Sequence, residues 1–170
     1  FEGFDLKDRG RRNFGKLQYR AGMRLTANSP HFGGFSGLRL TASGKSLVAI
    51  SDRGTWLTAD IREENGAAVG LANARVAPIL GPDGKPLGLG RHYDTESLAD
   101  DGTLFYVGCE RTNTIFRFDW GRHGVAARGE MVPVPAEVKA FPNNSGCEAL
   151  AVVPKGQKLA GALVAIAERK

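Results

Sequence analysis

One hairpin pattern, written three times, constrains the fold more than any other feature of the chain. The copies are "FSGLRLTASGKSLVAISDRG" from Phe35, "TESLADDGTLFYVGCERT" from Thr95 and "CEALAVVPKGQKLAGALVAIAERK" from Cys147. Each opens with Ser or Glu, a small residue and Leu: Ser36-Gly37-Leu38, Glu96-Ser97-Leu98 and Glu148-Ala149-Leu150. Each passes a glycine turn at Gly44, Gly102 or Gly156. An apolar run then leads into an acid-arginine pair: Asp52-Arg53, Glu110-Arg111 and Glu168-Arg169. The openings lie 60 and 52 residues apart, which is the period of a repeat architecture.

The chemistry of each copy is that of an antiparallel hairpin. "LVAIS", "LFYVG" and "LVAIA" have strand length and are rich in β-branched or aromatic residues. Runs that apolar are expected to be buried on both faces. The glycines in "ASGKS" and "DDGT" supply positive φ at the turn. "TWLTADI" (55–61) and "TIFRFDW" (114–120) follow with the alternation of half-buried strands. "NARVAPIL" (73–80) and "GEMVPVP" (129–135) read as outer strands, where proline is tolerated. Four antiparallel strands, buried first and polar last, are the pattern of a β-propeller blade. No segment holds a 3.6-residue apolar period over three turns, so a helical fold is excluded.

The expected architecture is therefore all-β: a partial propeller over residues 17–170, preceded by a basic arm over residues 1–16. It comprises two full blades, the start of a third, and a strand at 16–25 that completes another blade. Propellers close with about 4–8 blades. We expect this chain to be about half of a six-bladed ring, with a second polypeptide or a second copy supplying the rest.

In such a ring the residue entering the innermost strand and the residue leaving its neighbour meet at one face, by the central channel. Glu96 and Glu148 are expected to converge there from adjacent blades, as metal ligands. Asp52, Glu110 and Glu168 would form an outer row that, with Arg53 and Arg111, contacts substrate. Converging carboxylates repel unless protonated or bound to a cation, and hard oxygen ligands suit calcium. The alternative is that each acid pairs with an arginine and only ties blades together.

Other features carry less. "GFSGL" around Ser36 lacks the final glycine and the strand-to-helix turn of a nucleophile elbow. His31, His92 and His123 fall in predicted loops. His92 and Asp94 stand close to Glu96 in sequence and can share its role. Cys109 and Cys147 match no zinc spacing. Adjacent blades would bring them to one face, as two buried thiols or as one disulfide. The net charge of +5 sits largely in Lys7–Arg24. Those charges are loosely spaced and accompanied by no nucleic-acid motif, which favours a solvated arm. No stretch approaches the roughly 20 apolar residues of a membrane span.

At "FGGFSGLRL", "LVAISDRGTW", "DTESLA", "YVGCERTNTIFRF", "NNSGCEALA" and "AIAE" the chain resembles the phytase-like family with esterase-like activity. The resemblance runs from about Leu17 to the end, and the first block is the strongest. It implies a bacterial β-propeller, periplasmic or secreted, whose full-length members are about twice as long. It also implies hydrolysis of a phosphate ester or carboxyl ester, with calcium as the cofactor and a small anionic or ester substrate. The matching positions are Ser36, Asp52, Arg53, Glu96, Glu110, Glu148 and Glu168. A non-catalytic propeller that binds a small ligand or a partner protein is the other function open to this chain.

Overall fold

The computed structural model describes residues 3–169. Its first strands, β1 (Asn13–Phe14) and β2 (Leu17–Gln18), form a small hairpin of their own. The first blade is the antiparallel meander β3 (Phe35–Leu40), β4 (Ser46–Ser51), β5 (Thr55–Glu64) and β6 (Ala67–Pro78). The second is β7 (Thr95–Asp100), β8 (Phe105–Cys109), β9 (Thr114–Phe118) and β10 (Glu130–Val132). A third begins with β11 (Cys147–Val152) and β12 (Leu163–Ala167). The inner strands β3, β7 and β11 lie side by side, so the sheets radiate from one axis as propeller blades do.

The repeated turns form as their residues dictate: Gly44, Gly102 and Gly156 take φ of +69°, +93° and +88°. The outer strands depart from expectation. The β5–β6 hairpin runs farther out, closed by Asn65-Gly66 with φ of +53° and +76°. Positive φ at both residues is the demand of a two-residue hairpin turn, and Asn-Gly meets it best. β9 ends earlier, because Asp119 accepts a hydrogen bond from Arg122 N (3.2 Å) and caps the short helix α1 (Trp120–His123). β10 stops at Val132, where prolines at 133 and 135 can donate no ladder hydrogen bond. Of the strand expected at 16–25, only Leu17–Gln18 is in a ladder, and its partner is β1. A Gly15-Lys16 turn places that partner within a few residues, nearer than any blade.

Two layers of side chains bind the blades. Between the first and second, Ile50, Trp56, Val107, Phe116 and Phe118 are fully buried. The Trp56 indole meets the Phe118 ring edge-on, with centroids 5.3 Å apart. Between the second and third, Ala99, Ile115, Cys147 and Leu150 are buried against Tyr106 and Phe141. The Arg39 guanidinium adds an ion pair to Asp100 at 3.2 Å across the first interface. The flanks are bare. Leu38 and Leu40 on β3 are exposed, and so are Val164 and Ile166 on β12. "LVAIA" was expected to be buried on both faces, but a blade covers only one of them.

Candidate functional site

The site is built from a local irregularity that recurs in every blade. At the start of each inner strand the ladder slips by one residue, between Phe35 and Gly37, Thr95 and Ser97, and Cys147 and Ala149. Ser36, Glu96 and Glu148 are the extra residues. A β-bulge of this kind bends the strand and re-aims its side chain, and bulges recur beside functional sites. The second strand of each hairpin then closes on the backbone just before the bulge. Asp52 N donates to Gly34 O (2.8 Å), Glu110 N to Asp94 O (2.9 Å) and Glu168 N to Gly146 O (3.1 Å). Both acid positions of a blade therefore flank one closing hydrogen bond. Asp94 holds φ +69° where the first blade has Gly34 at +62°, a conformation an aspartate adopts only at some cost.

The carboxylates of two neighbouring hairpins consequently meet. Oxygens of Glu110, Glu148 and Glu168 all lie within 4.8 Å of one another. Glu110 is only 5% exposed, and its Oε1 accepts a hydrogen bond from Gly146 N (3.2 Å). Glu148 is half-buried and its pKa is pushed up to about 7. Burial is the largest cause, followed by its hydrogen bond to Glu110 and the charges of Glu110, Glu96 and Glu168. The Glu96 carboxyl also titrates above its ordinary range. Burial leads there too, a hydrogen bond from Ser36 works against it, and the charges of Asp94, Glu110 and Asp52 add to it.

The carboxylate trio thus joins Glu148, expected at the inner position, to Glu110 and Glu168, expected in the outer row. Glu96 stands beside it, hydrogen-bonded to Ser36. The arginines turn elsewhere. Arg53 Nη1 donates to Pro30 O (3.0 Å), and its Nε lies 3.9 Å from Asp52. Arg111 Nε donates to Asp94 (2.9 Å), and its guanidinium stacks on Tyr93 at 4.8 Å. Among the described residues no arginine or lysine is ion-paired with Glu96, Glu110 or Glu148, so these acids do not tie blades together through cationic partners. Glu168 alone of the three has a cation of the protein near it, Arg169 Nε at 3.9 Å. Three oxygen donors from two neighbouring hairpins are a donor set that fits calcium.

Asp94 is the residue whose weight the sequence understated, because its role rests on a left-handed backbone. Cys109 and Cys147 are free and fully buried. Ser36 heads a strand, not a helix, so no nucleophile elbow forms. His92 packs in the loop between the first two blades, its Nδ1 3.0 Å from Thr112 Oγ1.

Radial four-stranded blades around a shared carboxylate rim define a β-propeller protein. A model of the family "Phytase-like: Esterase-like activity of phytase" matches residues 30–170, and the chain belongs to that family. Among solved structures, the chain is similar to U3-55K (13% identity, TM-score 0.44, covering 72% of this chain and 31% of that one). The Myceliophteria thermophila Cps50 (Swd1) β-propeller domain gives 12% identity and TM-score 0.44, with 78% and 36% covered. Kuenenia stuttgartiensis hydrazine synthase gives 15% and 0.40, with 81% and 30% covered. The chain spans about a third of the length of each of these structures. No curated protein sequence matches it.

Proposed function

We propose that this chain carries the cation-binding rim of an ester or phosphoester hydrolase. The observation that supports this most is the convergence of Glu110, Glu148 and Glu168 within 4.8 Å. On this reading the three carboxylates hold calcium. The bound ion would polarise a phosphoryl or acyl oxygen and acidify a water. Glu96, hydrogen-bonded to Ser36 and with its affinity for protons raised, would serve as general base toward a water at the rim. Arg111 is held ready by Asp94 and Tyr93 and, with Arg53, binds the substrate's anionic oxygens. Asp52 stands on the same rim, where its charge adds to the rise in the Glu96 pKa. The protein would act in the periplasm or outside the cell, where calcium sites of modest affinity are filled.

Hydrolysis of 4-nitrophenyl phosphate and 4-nitrophenyl acetate by the intact protein, with calcium and then with EDTA, tests this. Turnover should require calcium and fall at least about tenfold in Glu148→Gln. Turnover indifferent to EDTA would overturn the cation's role. Calcium binding without turnover of either ester would point to the non-catalytic propeller.

A further inference from the structure

The loop joining the first two blades, residues 79–94, forms with β9 and β10 an open pocket of about 520 Å³. That volume is in the range of small-molecule sites. Pro86, Leu87, Phe116 and Met131 form its apolar lining, and Leu89 stands at its edge 87% exposed. The charged groups around it are mainly basic. Lys85 is partly spent, its Nζ lying 3.7 Å from Asp83. Arg91 is different. Its Nε donates to His92 Nε2 (3.1 Å), so that nitrogen is an acceptor and the ring proton sits on Nδ1, which donates to Thr112 Oγ1 (3.0 Å). The ring is also fixed edge-on to Phe116, at 5.1 Å and 83°. Burial first, then the charge of Arg91, holds the imidazole below its usual pKa and hence neutral.

Arg91 is therefore oriented by a neutral partner through one nitrogen. Its two terminal nitrogens have no carboxylate partner among the described residues. A guanidinium with that pair free matches a carboxylate in two-point geometry. The lining beneath it, which offers almost no hydrogen-bonding groups, matches a hydrocarbon body.

We propose that this pocket binds a medium-chain aliphatic carboxylate, with its head on Arg91 and its chain along Pro86, Leu89 and Met131. The site is separate from the Glu110, Glu148 and Glu168 trio, and its occupancy depends on neither calcium nor hydrolysis. The test is calorimetric titration of the intact protein with octanoate, below its micelle concentration and in EDTA. One saturable site is expected. Arg91→Gln and Met131→Asp, both exposed and so compatible with folding, should each weaken it by at least about tenfold. Octanamide, which lacks the charge, and acetate, which lacks the chain, should bind weaker by a similar factor. Lack of saturation by about 1 mM would overturn the proposal. So would an affinity that Arg91→Gln leaves unchanged, or octanamide binding as tightly as octanoate.

Discussion

Glu148 shares a hydrogen bond with Glu110 and faces the charges of Glu96 and Glu168, so it keeps a proton that a lone glutamate would lose. Its pKa rises from an ordinary 4.5 to about 7 in the folded protein. Between those values the folded state binds more protons than the unfolded one. Cation-free stability from this group is therefore greatest below about 4.5 and declines as pH rises to about 7, where the loss is complete. Glu148→Gln should remove that slope, raise the calcium-free Tm at pH 8, and weaken calcium binding at least about tenfold by calorimetry. A parental pH–Tm slope in the variant would show that another group holds the proton. The cysteines make a second residue-scale prediction. Burial, helped by Cys147 and Asp94, pushes the Cys109 thiol up to about 12, and burial also raises Cys147. Neither should react with iodoacetamide at pH 8 in the native protein, and unfolding without reductant should release two thiols per chain. The equivalence of Ser36, Glu96 and Glu148 was legible in the repeat. Their bulged geometry was not, because a bulge is a property of two paired strands. The partner of Arg111 was hidden for a similar reason: Asp94 reaches it only from a left-handed backbone.

At the scale of elements, the inner strands pack so closely that their small residues set the spacing of the blades. A Cβ on Gly37 would stand 2.7 Å from Leu98 Cβ and 3.0 Å from Ile50 Cγ1. Gly37→Ala should cost about 1–3 kcal/mol in urea denaturation, because β3 must move off β7 to admit the methyl group. The same shift should loosen Ser36 from Glu96, next to it in the adjacent blade, and raise the Glu96 pKa further, since that hydrogen bond holds it down. Parental stability in this variant would mean that the inner strands are free to slide. The inner hairpins could be placed from sequence because apolar runs and glycine turns are local signals. The outer strands could not. β5 and β6 extend through "REENGAAVGLA", whose polar and small residues carry no alternation, and only the Asn-Gly turn and the pairing itself hold that extension.

At the scale of the whole molecule, two apolar blade faces stand open, one with Leu38 and Leu40, the other with Val164 and Ile166, which is 59% exposed. We propose that further blades of the ring cover both. Val164→Asp should then destabilise the intact protein by roughly 1–3 kcal/mol in thermal unfolding, the cost of burying a carboxylate without a partner. An unchanged Tm would place Val164 in solvent and leave the ring open on that side. By itself the sequence determined the blade: hairpin periodicity, turn glycines and strand order are encoded within stretches of some twenty to sixty residues, and so is the position of every rim acid. What only the tertiary structure decided is which acids share a site. Glu110, Glu148 and Glu168 come from two different blades, and the bulges and closing hydrogen bonds that aim them exist only once strands are paired. The pocket under Arg91 is likewise absent from any local pattern, since its walls come from a loop and two strands that only packing brings together.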